Sequence, residues 1–223
     1  ALDDAGFGDY RIVDAAGGVG GTWFWNSYPG IAVDIPSFSY QFSFEQSSNW
    51  SRTYAPGGEL RAYAEHCVDK YGLRDRIRLN TRVLGAEFDE DDDLWRVRLD
   101  SGETVSARFL VNASGALTIP NLPDIPGVAS FAGLTMHTAR WDHSQDLTGK
   151  RVAVIGTGAS AVQVIPEIAP AVEHLTVLQR TPIWCFPKFD VPVPRAARWA
   201  MRVPGGKALN RWASQAYVEL TFP

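Results

Sequence analysis

The sequence predicts an α/β fold built from two Rossmann-like dinucleotide-binding domains, and two observations carry this prediction. The first is RVAVIGTGASA (151–161), a β-branched run suited to a parallel strand buried on both faces, which enters a glycine-rich turn and a helix at the spacing of a βαβ unit. The second is an echo, because DYRIVDA (9–15) and HLTVLQR (174–180) both resemble the second strand of such a unit. A length of 223 residues, with 45% hydrophobic and 21% charged residues, allows one large globular domain or two small ones.

The first elements follow in order along the chain. A short strand ends at Asp14, and the glycine-rich turn GGVGGTW (17–23) leads into an aromatic loop. The segment PGGELRAYAEHCVDKYG (56–72) then has a Pro-Gly break followed by apolar residues at helical spacing, and Gly72 is a suitable stop. We therefore predict one long helix between these glycines.

Strands are predicted after this helix. Segments 77–89 and 94–100 alternate apolar and polar residues, and the acidic turn DEDDD (89–93) joins them as a solvated hairpin tip. RFLVNASG (108–115) is predicted to be a buried strand. The proline-rich TIPNLPDIPG (118–127) cannot continue either regular structure, so we predict a connection between subdomains.

Composition excludes several classes of function. The net charge of −4 favours neither nucleic acid nor an anionic membrane surface as partner. No apolar run approaches the roughly 20 residues of a membrane-spanning helix, and the acidic start of the chain does not resemble a signal peptide. Cys67 and Cys185 form no CxxC pair, which argues against a disulfide reductase and favours buried thiols in a cytoplasmic protein.

The loop Gly156–Ala161 has GxGxxA spacing between a strand and a helix. Gly156 makes the tight turn, Gly158 lets a pyrophosphate approach the backbone, and the small Ala161 lets the helix pack close to the strand. The phosphate would then lie at the helix N-terminus, where unpaired N–H groups point at it. A dinucleotide site is predicted here, with a merely structural glycine turn as the alternative.

The ends of the two second strands indicate which nucleotide each domain binds. Gln179, Arg180 and Thr181 follow the strand after the glycine loop, and a cation there suits the 2′-phosphate of NADPH. The alternative for Arg180 is a surface arginine at a strand end. Asp14 ends the first strand, where an acidic residue suits the unphosphorylated ribose of FAD. The sequence before it contains no glycine loop, so we expect an FAD domain that lacks this loop.

Three segments together resemble the flavin-containing monooxygenases, and more narrowly the Baeyer–Villiger monooxygenases. They are residues 17–34, residues 131–142, and VIGTGASAVQ (154–163) with the following QRTP (179–182). The family is marked by FxGxxxHxxxW followed by Pro or Asp, and every fixed position of this fingerprint has its match: Phe131, Gly133, His137, Trp141 and Asp142. The resemblance implies the FAD/NADP fold of the glutathione-reductase type, truncated here at both ends.

The resemblance also implies contacts residue by residue. Asp14 would hold the FAD ribose, and Asp34 would lie near the flavin ring. Ala32 stands where the family often has an arginine, so no nicotinamide contact is implied there. The other implied flavin-side residues are Gly21, Thr22, Trp23 and Tyr40, with the YPG turn Tyr28–Gly30. The residues implied to bind NADPH are Gly156, Thr157, Gly158, Ala159, Ser160, Ala161, Arg180 and Thr181.

The implied reaction inserts one oxygen atom of O2 into a ketone through a C4a-peroxyflavin, giving an ester or lactone. Asp34 and His137 are the candidate catalytic residues. For Asp34 the alternative is an ordinary turn aspartate. For His137 the alternative is a hydrogen-bonding role that links the two nucleotide domains. An arginine that the family uses falls beyond residue 223, so the chain as given is expected to be inactive.

The implied organisation has three parts. Residues 1–116 would form the FAD-binding domain without its N-terminal glycine loop, 117–150 a linker with the fingerprint, and 151–223 the start of the NADPH-binding domain. The expected partners are a small-molecule ketone and O2, with no nucleic acid, membrane or metal. Two other functions stay open: an N- or S-hydroxylating flavin monooxygenase, and an inactive NADP-binding fragment.

Overall fold

The computed structural model describes residues 2–185 and 187–221, and the chain divides into two compact units. The first unit joins residues 1–25 with 61–119, and the second joins 26–60 with 120–223. The observed division falls after Ile119, and the organisation into parts 1–116, 117–150 and 151–223 stays a prediction. Residues 26–60 cluster with the second unit, although they precede this boundary in the sequence.

The strands of the first unit form two small sheets. β1 (Ile12–Val13) pairs in parallel with β2 (Ile77–Arg78). β3 (Val83–Asp89), β4 (Leu94–Leu99) and β5 (Thr104–Ala107) form an antiparallel sheet in the order β3-β4-β5. The predicted hairpin is thus confirmed, with the acidic segment as its turn. The predicted strand 77–89 is interrupted at residues 79–82, and the exposure of β3 does not alternate.

The long helix of the first half of the chain agrees with the prediction from the sequence, whereas the segment after the glycine-rich turn 17–23 differs from it. α1 (Thr22–Trp25) is a short helix in the segment that was expected to be an aromatic loop. α2 (Gly57–Lys70) confirms the predicted long helix, and it is followed by a 3₁₀ turn at Arg74–Arg76. Gly72 has a φ of +61°, the left-handed conformation that favours glycine after a helix.

The prediction of a buried strand at residues 108–115 is wrong. These residues form neither helix nor strand, and Phe109 and Val111 are 80% and 82% exposed. Within the described part of the chain no strand pairs with them, because the antiparallel sheet ends at β5 and β1 has β2 as its neighbour. An apolar run becomes a buried strand only where neighbouring elements supply its hydrogen bonds and cover its faces.

The predicted βαβ unit is present in the second unit. β6 (Arg151–Ile155) pairs in parallel with β7 (His174–Leu178), and α3 (Ala159–Ile168) connects them. Val164 and Ile168 of α3 form a buried cluster with Tyr28. The partly buried residues packed against the cluster are Ile31, Trp141, Leu147, Val152, Val154, Val172 and Leu175.

The expectation that β6 is buried on both faces is wrong. Its residues alternate between exposed and half-buried, and Ile155 is 54% exposed. β7 is its sole strand neighbour among the described residues, so one face packs against the core while the other meets solvent. The β-branched composition of β6 therefore indicated a strand but not two covered faces.

The remaining helices belong to the second unit. Short 3₁₀ turns lie at Val128–Ser130 and Thr138–Arg140, and α4 (Arg195–Ala200) and α5 (Gly206–Thr221) follow the βαβ unit. The proline-rich segment 118–127 forms neither helix nor strand, as predicted. None of the helices described is long and apolar enough to cross a membrane.

The two cysteines differ in exposure. Cys67 on α2 is buried, as expected, whereas Cys185 is exposed, which contradicts the expectation of two buried thiols. Cys185 follows β7 in an irregular aromatic segment, where its neighbours Ile183 and Trp184 are also exposed. The apolar character of this segment therefore does not bury the thiol.

Candidate functional site

The loop between β6 and α3 has the backbone that close approach of a phosphate requires. Gly156 has a φ of +102°, in the region that favours glycine. Gly158 is the extended N-cap of α3, and a Cβ at either glycine would meet no atom within 4 Å. Ala161 is buried, so its small side chain lets α3 pack closely. The unpaired N–H groups at the start of α3 therefore lie beside open space.

The end of β7 is attached to this loop. The Nε2 of Gln179 donates to the Oγ1 of Thr157 over 3.1 Å. Arg180 and Thr181 follow directly and are exposed. Arg180, the residue predicted to bind the 2′-phosphate, is therefore accessible and belongs to the same unit as the glycine loop.

The loop that contains Tyr28, Gly30 and Asp34 packs against α3. Gly30 has a φ of +79°, and a Cβ on it would lie 2.5 Å from the backbone oxygen of Gln163 and 2.7 Å from the Cγ of Glu167. The loop approaches the helix so closely that only a glycine fits. Asp34 itself is exposed on this loop. We call residues 28–34 the aspartate loop.

One side chain of α3, Gln163, holds the aspartate loop. Its Oε1 accepts hydrogen bonds from the hydroxyl of Tyr28 at 2.9 Å and from the backbone N–H of Ala32 at 3.4 Å. Its Nε2 donates to the backbone oxygen of Ala32 at 3.0 Å and to the Oδ1 of Asp34 at 2.9 Å. Gln163 is not among the residues predicted from the sequence. The available signal was a polar residue inside the apolar run AVQVI (161–165).

The surroundings of Tyr28 raise the pKa of its hydroxyl above the ordinary value. Burial is the largest cause that raises the pKa of Tyr28, and the negative charge of Asp34 acts in the same direction. A hydrogen bond with Ser160 of the glycine loop opposes them. The neutral hydroxyl is a hydrogen-bond donor to Gln163 at physiological pH.

The first half of the fingerprint forms local contacts. A Cβ at Gly133 would lie 2.6 Å from the ring of Phe131, so the glycine allows the ring to fold over the backbone. The Nδ1 of His137 accepts a hydrogen bond from the backbone N–H of Ala139 at 3.1 Å. His137 thereby caps the 3₁₀ turn that starts at Thr138.

The second half of the fingerprint packs and caps in the same way. Trp141 lies against the buried cluster of the second unit. The carboxylate of Asp142 accepts hydrogen bonds from the hydroxyl and backbone N–H of Ser144 and from the amide of Gln145. These bonds, led by the one from the Ser144 hydroxyl, lower the pKa of Asp142. Each contact stabilises the connector that the fingerprint forms.

Asp14 is fixed at the end of β1 in the first unit. Its Oδ1 accepts a hydrogen bond from the backbone N–H of Ala16 at 2.8 Å, and its own backbone pairs with Arg78 and Thr81. This local turn holds the carboxylate at the strand end, and its contact with FAD stays a prediction.

The other predicted flavin contacts are distributed over both units. Gly21, with a φ of +53°, precedes Thr22 and Trp23, which begin α1 in the first unit. Tyr40 belongs to the second unit, where its backbone N–H donates to the oxygen of Pro36 at 3.1 Å and its side chain is 41% exposed.

A second attachment in the second unit was not predicted. The Nε of Arg52 donates to the Oδ2 of Asp190 at 2.7 Å, and the Oδ1 of Asp190 accepts from the backbone N–H of Tyr54 at 3.2 Å. The backbone N–H of Thr53 donates to the oxygen of Val191 at 2.9 Å. Residues 190–193 thus form a strap along residues 51–54.

Replacing Asp190 by Ala should lower the free energy of unfolding by about 1–2 kcal/mol, since it removes an ion pair and a backbone partner together. Partial exposure of Arg52 (40%) and Asp190 (24%) keeps the effect in this range. Urea unfolding of the purified protein measures it. Asp69→Ala is the matched control, because it breaks an ion pair with Arg74 at a more exposed position. An equal loss in both variants would contradict the role of the strap.

Comparison with known proteins places these features in a family. The sequence profile described as "Pyridine nucleotide-disulphide oxidoreductase" matches residues 25–193. A Baeyer-Villiger monooxygenase of Streptomyces coelicolor is 46% identical over 207 residues, covering 92% of this chain and 40% of that protein. A 2-oxo-Delta(3)-4,5,5-trimethylcyclopentenylacetyl-CoA monooxygenase of Pseudomonas putida is 40% identical over 201 residues, covering 85% of this chain and 37% of that protein.

Solved structures give the same result. An oxidized steroid monooxygenase bound to NADP superposes with a TM-score of 0.81 at 46% identity, covering 91% of this chain and 39% of that one. Cyclohexanone monooxygenase from Rhodococcus sp. Phi1 bound to NADP+ superposes with a TM-score of 0.85 at 41% identity, covering 96% and 40%. The predicted resemblance and fold class are confirmed. The chain spans about 40% of the length of the curated relative from Streptomyces coelicolor.

Proposed function

We propose, since the chain belongs to the pyridine nucleotide-disulphide oxidoreductase family, that it provides the nucleotide-binding part of a monooxygenase that converts a ketone and O2 into an ester or lactone. The observation that carries the proposal is the attachment of Asp34, through Gln163, to the helix that follows the GxGxxA loop. This attachment holds a carboxylate at a fixed place on the dinucleotide-binding unit. The 46% identity to a Baeyer-Villiger monooxygenase supports the same reaction class.

The residues present fit the two cofactors. The open space beside Gly156 and Gly158 suits the pyrophosphate of NADPH, and exposed Arg180 and Thr181 suit its 2′-phosphate. The fixed carboxylate of Asp14 suits the ribose of FAD. Gly21, Thr22, Trp23 and Tyr40 are the proposed flavin contacts. When bound, NADPH supplies a hydride and the flavin supplies the redox chemistry with O2.

Asp34 and His137 have different proposed roles. The carboxylate of Asp34 is held by the Nε2 of Gln163, so it offers an anionic acceptor in a fixed orientation on the unit that contains the GxGxxA loop. Such an acceptor can orient a cationic group near developing negative charge. The Nδ1 of His137 is occupied by the backbone N–H of Ala139, which favours a role in shaping the connector over proton transfer.

Product analysis tests the proposed reaction. The protein expressed from its complete reading frame would be supplied with NADPH, O2 and a panel of cyclic ketones, with a thioether in parallel. Lactone formation with consumption of NADPH is the expected result. Sulfoxide without lactone across the panel would assign the protein to the N- or S-hydroxylating class, and binding of NADP+ without turnover would assign it to binding alone.

An absorbance spectrum of the same preparation tests the FAD assignment separately. The flavin bands should copurify with the protein and shift in position relative to free flavin. A colourless protein that still binds NADP+ would contradict the assignment of Asp14.

A ketone and O2 are the proposed partners of the protein. The proposed location is the cytoplasm, because the two cysteines of the chain form no CxxC pair.

Replacing Arg180 by Ala should weaken NADPH binding about 10- to 100-fold, because a charge-assisted hydrogen bond to the 2′-phosphate is lost. Binding of NADH, which lacks this phosphate, should stay within about twofold of the parent protein. Titration with both nucleotides measures the two affinities, and NADH serves as the internal control. Equal weakening for both would indicate that Arg180 only ends the strand.

A further inference from the structure

We infer that Gln163 is a positioning residue that sets the orientation of Asp34 and couples it to the dinucleotide-binding helix. The inference rests on the proposed function, since it names the group through which Asp34 is held. The carboxylate of Asp34 is exposed, so it would sample several rotamers without a partner. The 2.9 Å hydrogen bond from the Nε2 of Gln163 selects one of them.

The direction of the Gln163 amide is determined by its other partners. The backbone N–H of Ala32 can only donate, so the atom that it contacts must be the amide oxygen. The hydroxyl of Tyr28, which can donate or accept, then donates to the same oxygen. The nitrogen then faces the backbone oxygen of Ala32 and the carboxylate of Asp34, and both are acceptors. A flipped amide would place its nitrogen against the N–H of Ala32 and its oxygen against two acceptors. The bonds to Tyr28 and Ala32 therefore preset the donor for Asp34.

Gln163 also connects two functions through one helix. It lies two residues after Ala161, the last residue of the GxGxxA loop, within the first half of α3. Val164, the next residue, is 1% exposed and packs with Tyr28 in the buried cluster. The helix that would carry the dinucleotide phosphate at its N-terminus thus carries the donor to Asp34 about one turn later. A displacement of α3 would move both together.

Two substitutions separate the donor from the packing. Gln163→Met keeps the length of the side chain but removes every hydrogen bond. Gln163→Glu keeps the shape and the acceptor for Tyr28, and it replaces the donor by a carboxylate oxygen that faces Asp34. Gln163 is half-buried and lies outside the buried cluster of Tyr28, Val164 and Ile168, so both variants should retain the fold, and the unfolding temperature of each variant checks this.

Steady-state kinetics of ketone oxygenation by the complete holoenzyme tests the inference. Both variants should lower kcat about 10- to 100-fold, as expected for a misplaced catalytic group, while the Kd of NADP+ and the flavin content change less than about twofold. Gln215→Met is the matched control, since the amide of Gln215 bonds Glu219 within α5. This control should keep the parent kcat.

A double-mutant cycle with Asp34→Ala shows whether Gln163 acts through Asp34. In the Asp34→Ala background, Gln163→Met should lower kcat no further. A crystal structure of Gln163→Met should show the Asp34 carboxylate in another rotamer. Additive losses in the cycle, or an unmoved carboxylate, would overturn the inference. A parent protein that forms no ester or lactone would instead overturn the proposed function, while the rotamer of Asp34 would still decide the positioning.

Discussion

Replacing Gly30 by Ala should lower the free energy of unfolding by about 2–5 kcal/mol, the largest stability effect that we expect from a single methyl group in this protein. Two costs add. The φ of +79° places an alanine in the left-handed region, and its Cβ would lie 2.5 Å from the backbone oxygen of Gln163. This backbone oxygen belongs to the middle of α3, so it cannot move out of the way as the end of a flexible side chain could.

Gly149→Ala separates these two costs. Gly149 has a φ of +65°, but a Cβ there would meet no atom within 4 Å. This variant should lose only the conformational part, about 1–2 kcal/mol. Thermal unfolding of both variants beside the parent protein measures the difference. Similar losses would show that the aspartate loop can shift away from α3, which would also weaken the case for a fixed Asp34.

The β6–α3–β7 unit could be predicted because each part of its signal is local. A β-branched run, two glycines and a small residue at fixed spacing specify strand, turn and helix without information from the rest of the chain. The structure confirms the glycine conformation at Gly156 and the burial of Ala161. Burial of β6 could not be predicted in the same way, because it depends on how many strands and helices cover it.

The attachment of the aspartate loop could not be predicted, for a related reason. Gln163 donates to Asp34 and accepts from Tyr28 across sequence separations of 129 and 135 residues. Periodicity within α3 shows which face is apolar, but it does not show what a half-buried amide contacts. The resemblance pointed to Asp34, and the structure identifies the side chain that holds it. The same holds for Arg52 and Asp190, whose pairing spans 138 residues.

Replacing Gly158 by Ala should weaken NADP+ binding about 10- to 100-fold, the largest binding effect that we expect from a change this small. The Cβ would occupy the space beside the start of α3, where the phosphate must approach the backbone N–H groups. Stability should change by less than about 1 kcal/mol. The reason is that Gly158 has an ordinary φ of −68° and a Cβ there would meet no protein atom within 4 Å.

Because Gly158→Ala should weaken NADP+ binding but leave the free energy of unfolding nearly unchanged, the prediction tests a ligand contact and not the stability of the fold. Gly58→Ala is the matched control, because it adds a methyl group near the start of another helix, again with no atom within 4 Å of the new Cβ. Calorimetric titration with NADP+ should show weak binding for Gly158→Ala and parent affinity for Gly58→Ala. Parent affinity in both would mean that no phosphate lies against the loop, and the dinucleotide assignment would fail. Weakened NADP+ binding by Gly158→Ala with an unchanged unfolding temperature would show that the added methyl group blocks the cofactor and does not disturb the folded chain.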